Sequence, residues 1–160
     1  MEQTTSDTTQ VVLFGATGDL ARRKLFPALA AIAAEAPPDQ DIRIVAVARR
    51  SLDAAGLEAA VAPFIEAGRA HEVQALLERT TYVQADVADP AALARLAEHL
   101  NDLPGGRDAA RLSYLALKPD LFLQAVNNLV AADVIHRCAH DGMPARRVLV
   151  EKPFGTSLAT

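Results

Sequence analysis

Residues 11–29 read VVLFGATGDLARRKLFPAL, an apolar run that passes through two glycines into a segment of helical spacing. Val11, Val12, Leu13 and Phe14 are continuously apolar, as expected of a parallel strand covered on both faces. Gly15 and Gly18 come where the chain must reverse and approach something closely, which a residue without Cβ permits. The spacing predicts a helix from about Asp19, its unpaired N–H groups and positive dipole end aimed back over the turn. Arg22, Arg23 and Lys24 fall in its first turns, where positive charge opposes that dipole. A purely structural helix has little reason to accept them, whereas a bound anion would compensate them.

Length and composition bound what such a turn can serve. The chain has 160 residues, 51% of them hydrophobic and 22% charged, the profile of one ordinary globular domain. A net charge of −4 argues against a nucleic-acid partner. The lone Cys138 excludes an internal disulfide framework and a cysteine-rich metal site, and no metal site is expected. The opening MEQTTSDTTQ has neither a basic start nor an apolar stretch, so no signal peptide is expected. No apolar run is long enough to cross a bilayer, so no membrane is expected and the cytoplasm is the expected compartment.

Taken in order, residues 1–9 read as a disordered tail. Leu25, Leu29 and Ile32 mark the buried stripe of the first helix, which Pro27 should kink or divide. Residues 42–48, IRIVAVA, give strand two, followed by Arg49 and Arg50. Ser51 is the expected cap of a helix carried by Leu57, Val61 and Ile65, with a further short helix over 72–78. Strands are expected over 81–85, 112–117 and 147–150. Between them, Asp89-Pro90 starts one helix and Pro119 another. Alternating strand and helix predicts an α/β fold, a doubly wound parallel sheet with right-handed crossovers.

In such sheets a ligand lies beyond the C-terminal ends of the strands, where this chain has residues 15–20, Arg49, Asp86, Lys118 and Glu151-Lys152. From Gly15 the turn reads G-x-x-G-x-x-A, ending at Ala21, with Thr17 where the common G-x-G-x-x-G carries its second glycine. Set between strand and helix, it favours dinucleotide binding over a merely tight turn. An NAD site usually has an acid after strand two to hold the ribose, but here the sequence is AVARRS. A guanidinium forks onto phosphate, so Arg49 is the natural holder of the 2′-phosphate of NADP; the alternative is an exposed arginine pair on a loop. Tyr114 and Lys118 form a Y-x-x-x-K, but along a strand four residues span about 13 Å, so the pair is rejected as a catalytic couple. His71, His99, His136 and His140 lack metal-ligand spacing and read as helix surface. Lys152, directly after the last strand, can donate to a sugar hydroxyl or sit near a nicotinamide; equally, it is a solvated residue in a Pro-Gly turn.

GATGDLARRKLFPAL, AVARRSL, SYLALKPDLF and VLVEKPFGTSLA, in that order, resemble the N-terminal coenzyme domain of glucose-6-phosphate dehydrogenases over nearly the whole chain. The resemblance implies an NADP-binding Rossmann domain over residues 10–160, without the family's second, α+β substrate domain. It implies that Gly15, Ala16, Thr17, Gly18, Asp19, Leu20, Ala21 and Arg22 bind the diphosphate region of NADP and that Arg49 binds its 2′-phosphate. Asp86 and Val87 would lie near the adenine, and Lys152 would touch both cofactor and sugar as the catalytic residue of this part. It also implies oxidation of glucose 6-phosphate at C1 to the lactone, in the pentose phosphate pathway, and a homo-oligomer for the full-length family member. The family's histidine motif R-I-D-H-Y-x-G-K-E lies beyond the EKPFG turn and is not in this sequence, so the chain alone is expected to be inactive. Lys118 stands where the family commonly has proline. Two alternatives stay open: a non-catalytic NADP-binding module, and a relative of the glucose–fructose oxidoreductases, whose G-x-G-x-x-G is absent.

Overall fold

The computed structural model describes residues 7–136 and 143–151. Strands β1 (Asp7–Phe14), β2 (Gln40–Ala48), β3 (Thr80–Gln84), β4 (Ala110–Leu115) and β5 (Arg146–Val150) pair in parallel, in the order β3-β2-β1-β4-β5. Helices α1 (Phe26–Glu35), α2 (Ala54–Val61), α3 (Ala70–Leu77), α4 (Pro90–Asp102) and α5 (Phe122–Ala131) make the crossovers. Successive side chains of a strand point to opposite faces, and β1 shows the consequence. Val11 and Leu13 pack with Phe26 and Leu76 of α1 and α3, while Val12 and Phe14 pack with Leu96 and Leu129 of α4 and α5. Val12, Leu13 and Phe14 are all 0% exposed, each contributing about 1.5–3 kcal/mol of apolar burial. This is the doubly wound parallel sheet expected from the sequence, with the strand order of a Rossmann fold.

The strands reach further toward their N-terminal ends than the apolar runs suggested. Residues 7–9, expected as tail, belong to β1, with Thr8 opposite Asp41 and Thr9 opposite Ile42. Thr8 and Gln10 are buried despite being polar, so hydropathy could not mark this end of the strand. Gln10 belongs to a buried polar knot. Its Nε2 donates to the carbonyl of Leu100 at 2.9 Å, and its Oε1 accepts from Arg111 Nε at 2.8 Å. Arg111 Nη2 donates to Asn101 Oδ1 at 2.7 Å and to the carbonyl of Gly106 at 3.1 Å. Burial, chiefly, and then neighbouring Arg146 pull the Arg111 guanidinium down to about 10.

Pro27 does not divide its helix: the helical backbone runs on over residues 19–35, by a specific device. A π-helical turn over Ala21–Leu25, in which Phe26 N–H reaches the carbonyl of Ala21, precedes α1, and Pro27 then falls in α1's first turn, where its missing donor costs nothing. The expected Ser51 cap is corrected: α2 begins two residues later, and Asp53 Oδ1 accepts from Gly56 N–H at 2.7 Å. The Asp89 cap and Pro90 start of α4 are as expected, with Asp89 Oδ1 taking Ala91 N–H at 2.9 Å.

Candidate functional site

β2 and β3 lie on one side of β1, and β4 and β5 on the other, so the strand order reverses between β1 and β4. In open α/β sheets a ligand binds at such a reversal, beyond the C-terminal strand ends. Gly15 stands there with φ +79°, and a Cβ on it would collide with the carbonyl oxygen of Ala116, the residue following β4. The N–H groups of Gly15 and Ala16 both bond to the carbonyl of Val47 at 2.9 and 3.1 Å, which ties the turn to the end of β2. Gly18 N–H closes the turn on the carbonyl of Gly15 at 2.9 Å. The first helical bond runs from Arg22 N–H to the carbonyl of Gly18 at 3.2 Å, so Asp19, Leu20 and Ala21 have no intrahelical acceptor for their N–H groups. Ala16 and Ala21 are buried, while Gly18, Asp19 and Leu20 are exposed. An exposed glycine turn that offers backbone donors, with no room for a side chain at its base, suits a diphosphate.

Two of the three cations of the first helical turns, Arg22 and Arg23, have partners of their own. Arg23 Nε lies 2.6 Å from Asp19 Oδ1, and its guanidinium lies 4.5 Å from the ring centroid of Phe64. Arg22 reaches Asp19 less closely, at 3.7 Å, and lies 5.4 Å from the same ring. An exposed ion pair contributes about 0–1 kcal/mol and an exposed cation–π contact about 0.5–1 kcal/mol. The dipole opposes a cation by a similar 0.3–1 kcal/mol or so. Arg22 and Arg23 therefore have structural reasons to sit here, which the sequence reading did not allow them. The strand reversal and the backbone donors carry the case for a phosphate instead.

Arg49 follows β2 directly and is exposed. Two side chains of β3 hold this turn: Gln84 Nε2 donates to the carbonyl of Arg49 at 3.0 Å, and Tyr82 Oη donates to that of Arg50 at 2.6 Å. Sequence reasoning missed both, since a hydrogen bond to a backbone carbonyl leaves no mark in residue spacing. Asp86, past β3, accepts from Ala88 N–H at 2.9 Å and shapes the loop before α4. Val87 is 6% exposed in the core under α4, and its carbonyl is taken up by Asn128 Nδ2 of α5 at 2.8 Å.

Across the reversal, Tyr114 of β4 donates its hydroxyl to the carboxylate of Glu151, at the end of β5. Burial first, then this bond, pushes the phenol up to about 12. Lys118 is exposed and extended before Pro119, with φ −68° and ψ 143°, so it shares no helix with Tyr114. Lys152, like Cys138 and His140, lies outside the described residues. His71 lies in α3; His99 in α4 meets Thr81 Oγ1 at 3.2 Å, and His136 meets Asp133 at 3.1 Å. Among the described residues no three metal-ligating side chains cluster, and no helix is long and apolar enough to cross a membrane. A cleft of about 560 Å³ lies away from the glycine turn, between α2, α3 and β3, where Asp53, Glu58 and Tyr82 line it. No residue of the glycine turn lines it.

Fold and turn together define a dinucleotide-binding α/β domain. A sequence model of the family described as "Glucose-6-phosphate dehydrogenase, NAD binding domain" matches residues 12–160. The chain belongs to that family. It is 34% identical over 154 residues to glucose-6-phosphate 1-dehydrogenase of Schizosaccharomyces pombe, covering 92% of this chain and 30% of the relative. Against the Takifugu rubripes enzyme the identity is 30% over 158 residues, covering 96% of this chain and 28% of the relative. The crystal structure of glucose-6-phosphate 1-dehydrogenase from Mycobacterium avium superposes with a TM-score of 0.73 at 32% identity, over 92% of this chain and 30% of that one. A glucose-6-phosphate dehydrogenase in complex with its substrate superposes with a TM-score of 0.76 at 27% identity, over 97% and 32%. The chain thus spans less than a third of the proteins it matches.

Proposed function

We propose that this chain supplies the coenzyme part of an NADP-dependent glucose-6-phosphate dehydrogenase. The observation that supports this most is Gly15, wedged against Ala116 at the strand reversal, with an exposed Arg49 and no acid directly after β2. NADP, when bound, would supply the hydride acceptor for C1 of glucose 6-phosphate, the C1 hydroxyl proton going to a base outside this sequence to give 6-phosphogluconolactone. The chain's own residues bind and orient. The turn and helix start from Gly15 to Arg22 seat the diphosphate, with the N–H groups of Asp19, Leu20 and Ala21 as the donors left over for it; Arg49 forks onto the 2′-phosphate, and Asp86 with Val87 borders the adenine. Lys152 donates to the C1 hydroxyl oxygen without acting as the base. The same reading puts the protein in the cytoplasm, with glucose 6-phosphate as its small-molecule partner, neither nucleic acid nor membrane, and homo-oligomers only in the full-length form. Replacing Arg49 with Ala should weaken NADP binding by about 1.5–3 kcal/mol, the range for a charged hydrogen-bonding group, and leave NAD nearly untouched. Calorimetric titration with both coenzymes tests it, and equal losses for the two would refute it.

A further inference from the structure

We propose that Tyr82 and Gln84 are positioning residues that hold the arginine turn in place and so set the preference for a 2′-phosphorylated adenosine, resting on the reading of Arg49 given above. Three successive carbonyls at and just past the end of β2 are held by β3 and the residue that follows it. Ala48 accepts from Ala85 N–H at 3.0 Å, Arg49 from Gln84 Nε2 at 3.0 Å, and Arg50 from Tyr82 Oη at 2.6 Å. Residues 82 and 84 alternate onto one face of the strand, so both side chains reach the same turn. The backbone of Arg49 and Arg50 is thereby pinned while Arg49 remains exposed to a ligand. A flexible four-bond side chain aims a guanidinium well only if its Cα is fixed, and a planar fork onto phosphate tolerates little misplacement. Neither carbonyl can serve as a donor, so the bonds need the phenol proton and the amide hydrogens. The Tyr82 phenol carries its proton at neutral pH in any case, and burial, outweighing the opposing charge of Arg50, pushes its ionisation further up.

Tyr82→Phe and Gln84→Met remove the two donors with little change of shape, and the double variant removes both. Binding of NADP and of NAD to the chain is measured for parent, double variant, Arg49→Ala and the triple combination, with far-UV circular dichroism to verify folding. The double variant should lose about three- to tenfold in NADP affinity, the effect of one or two net hydrogen bonds, and less than about twofold for NAD. Added to Arg49→Ala, the same two substitutions should cause no further loss, because they act through that arginine. A merely structural role would weaken both coenzymes alike. Equal weakening, an unchanged NADP affinity, or a full further loss in the Arg49→Ala background would each overturn the proposal. If Arg49→Ala alone keeps the parent's ratio of NADP to NAD affinity, the underlying reading of Arg49 fails. A ratio lost in Arg49→Ala but kept in the double variant overturns the positioning role alone.

Discussion

Gly15→Ala should be among the most damaging single-methyl additions to this chain. Two costs combine. At φ +79° an L side chain pays about 1–2 kcal/mol for the left-handed backbone. The new Cβ also lands on the carbonyl oxygen of Ala116, which is backbone and cannot swing away, so β4's exit or the turn has to move. Overpacking of this kind costs about 1–3 kcal/mol more. The sum is about 2–5 kcal/mol, a large share of the 5–15 kcal/mol or so that holds a typical domain together. Gly68 supplies the control, because a Cβ there meets nothing within 4 Å, and Gly68→Ala should stay within about 0.5 kcal/mol of the parent. Urea unfolding followed by far-UV circular dichroism reads both. A shift in midpoint at constant slope marks a change in stability alone. Similar midpoints for the two variants would mean that β1 and β4 do not meet at this turn as described.

Asp53→Ala should destabilise the chain by about 0.5–2 kcal/mol through loss of the α2 cap, whereas Ser51→Ala should be neutral; the same urea assay separates them. Arg111→Leu leaves Gln10 Oε1 and Asn101 Oδ1 without a donor and should cost about 1–3 kcal/mol for each orphaned group, read as a fall in unfolding midpoint. Tyr114, raised to about 12, stays protonated when folded while an unfolded tyrosine ionises near 10, so its contribution to stability is present below about 10 and lost as pH climbs toward 12. Arg111, lowered to about 10, acts in the opposite sense in the same window, so the difference between the parent and Tyr114→Phe isolates the tyrosine. In a tyrosinate-absorbance titration the step near 12 should vanish in Tyr114→Phe and leave the step of Tyr82, and a surviving step near 12 would assign it elsewhere.

What could be read from the sequence was what local chemistry writes into neighbouring positions. The unbroken apolar run of Val11 to Phe14 announced a strand buried on both faces, and both faces are indeed covered. Asp89-Pro90 announced its helix because the cap and the N–H that donates to it lie two residues apart. Arg22 and Arg23 were misjudged because Phe64 reaches them from some forty positions along the chain, after α1, β2 and α2. Tyr82 and Gln84 were passed over for a related reason: any residue type supplies a carbonyl, so what a side chain donates to has no sequence signature. Ser51 and Asp53 are both good caps by residue type, and it is Asp53 that takes the Gly56 N–H. The start of β1 was hidden by Gln10, a polar residue buried for the sake of an arginine that lies 101 positions away.

That knot gives the sheet one locked end and one open end. Gln10 and Arg111 sew β1 and β4 to the tail of α4 where these strands begin, whereas the glycine and arginine turns at the far end are largely exposed. Amide hydrogens should report the asymmetry: those around residues 10–13 and 111–113 exchange only through global opening, and those of Asp19 and Leu20 exchange freely. A coenzyme seated on the open end would therefore slow exchange where the protein is loosest, and leave the locked end as slow as before.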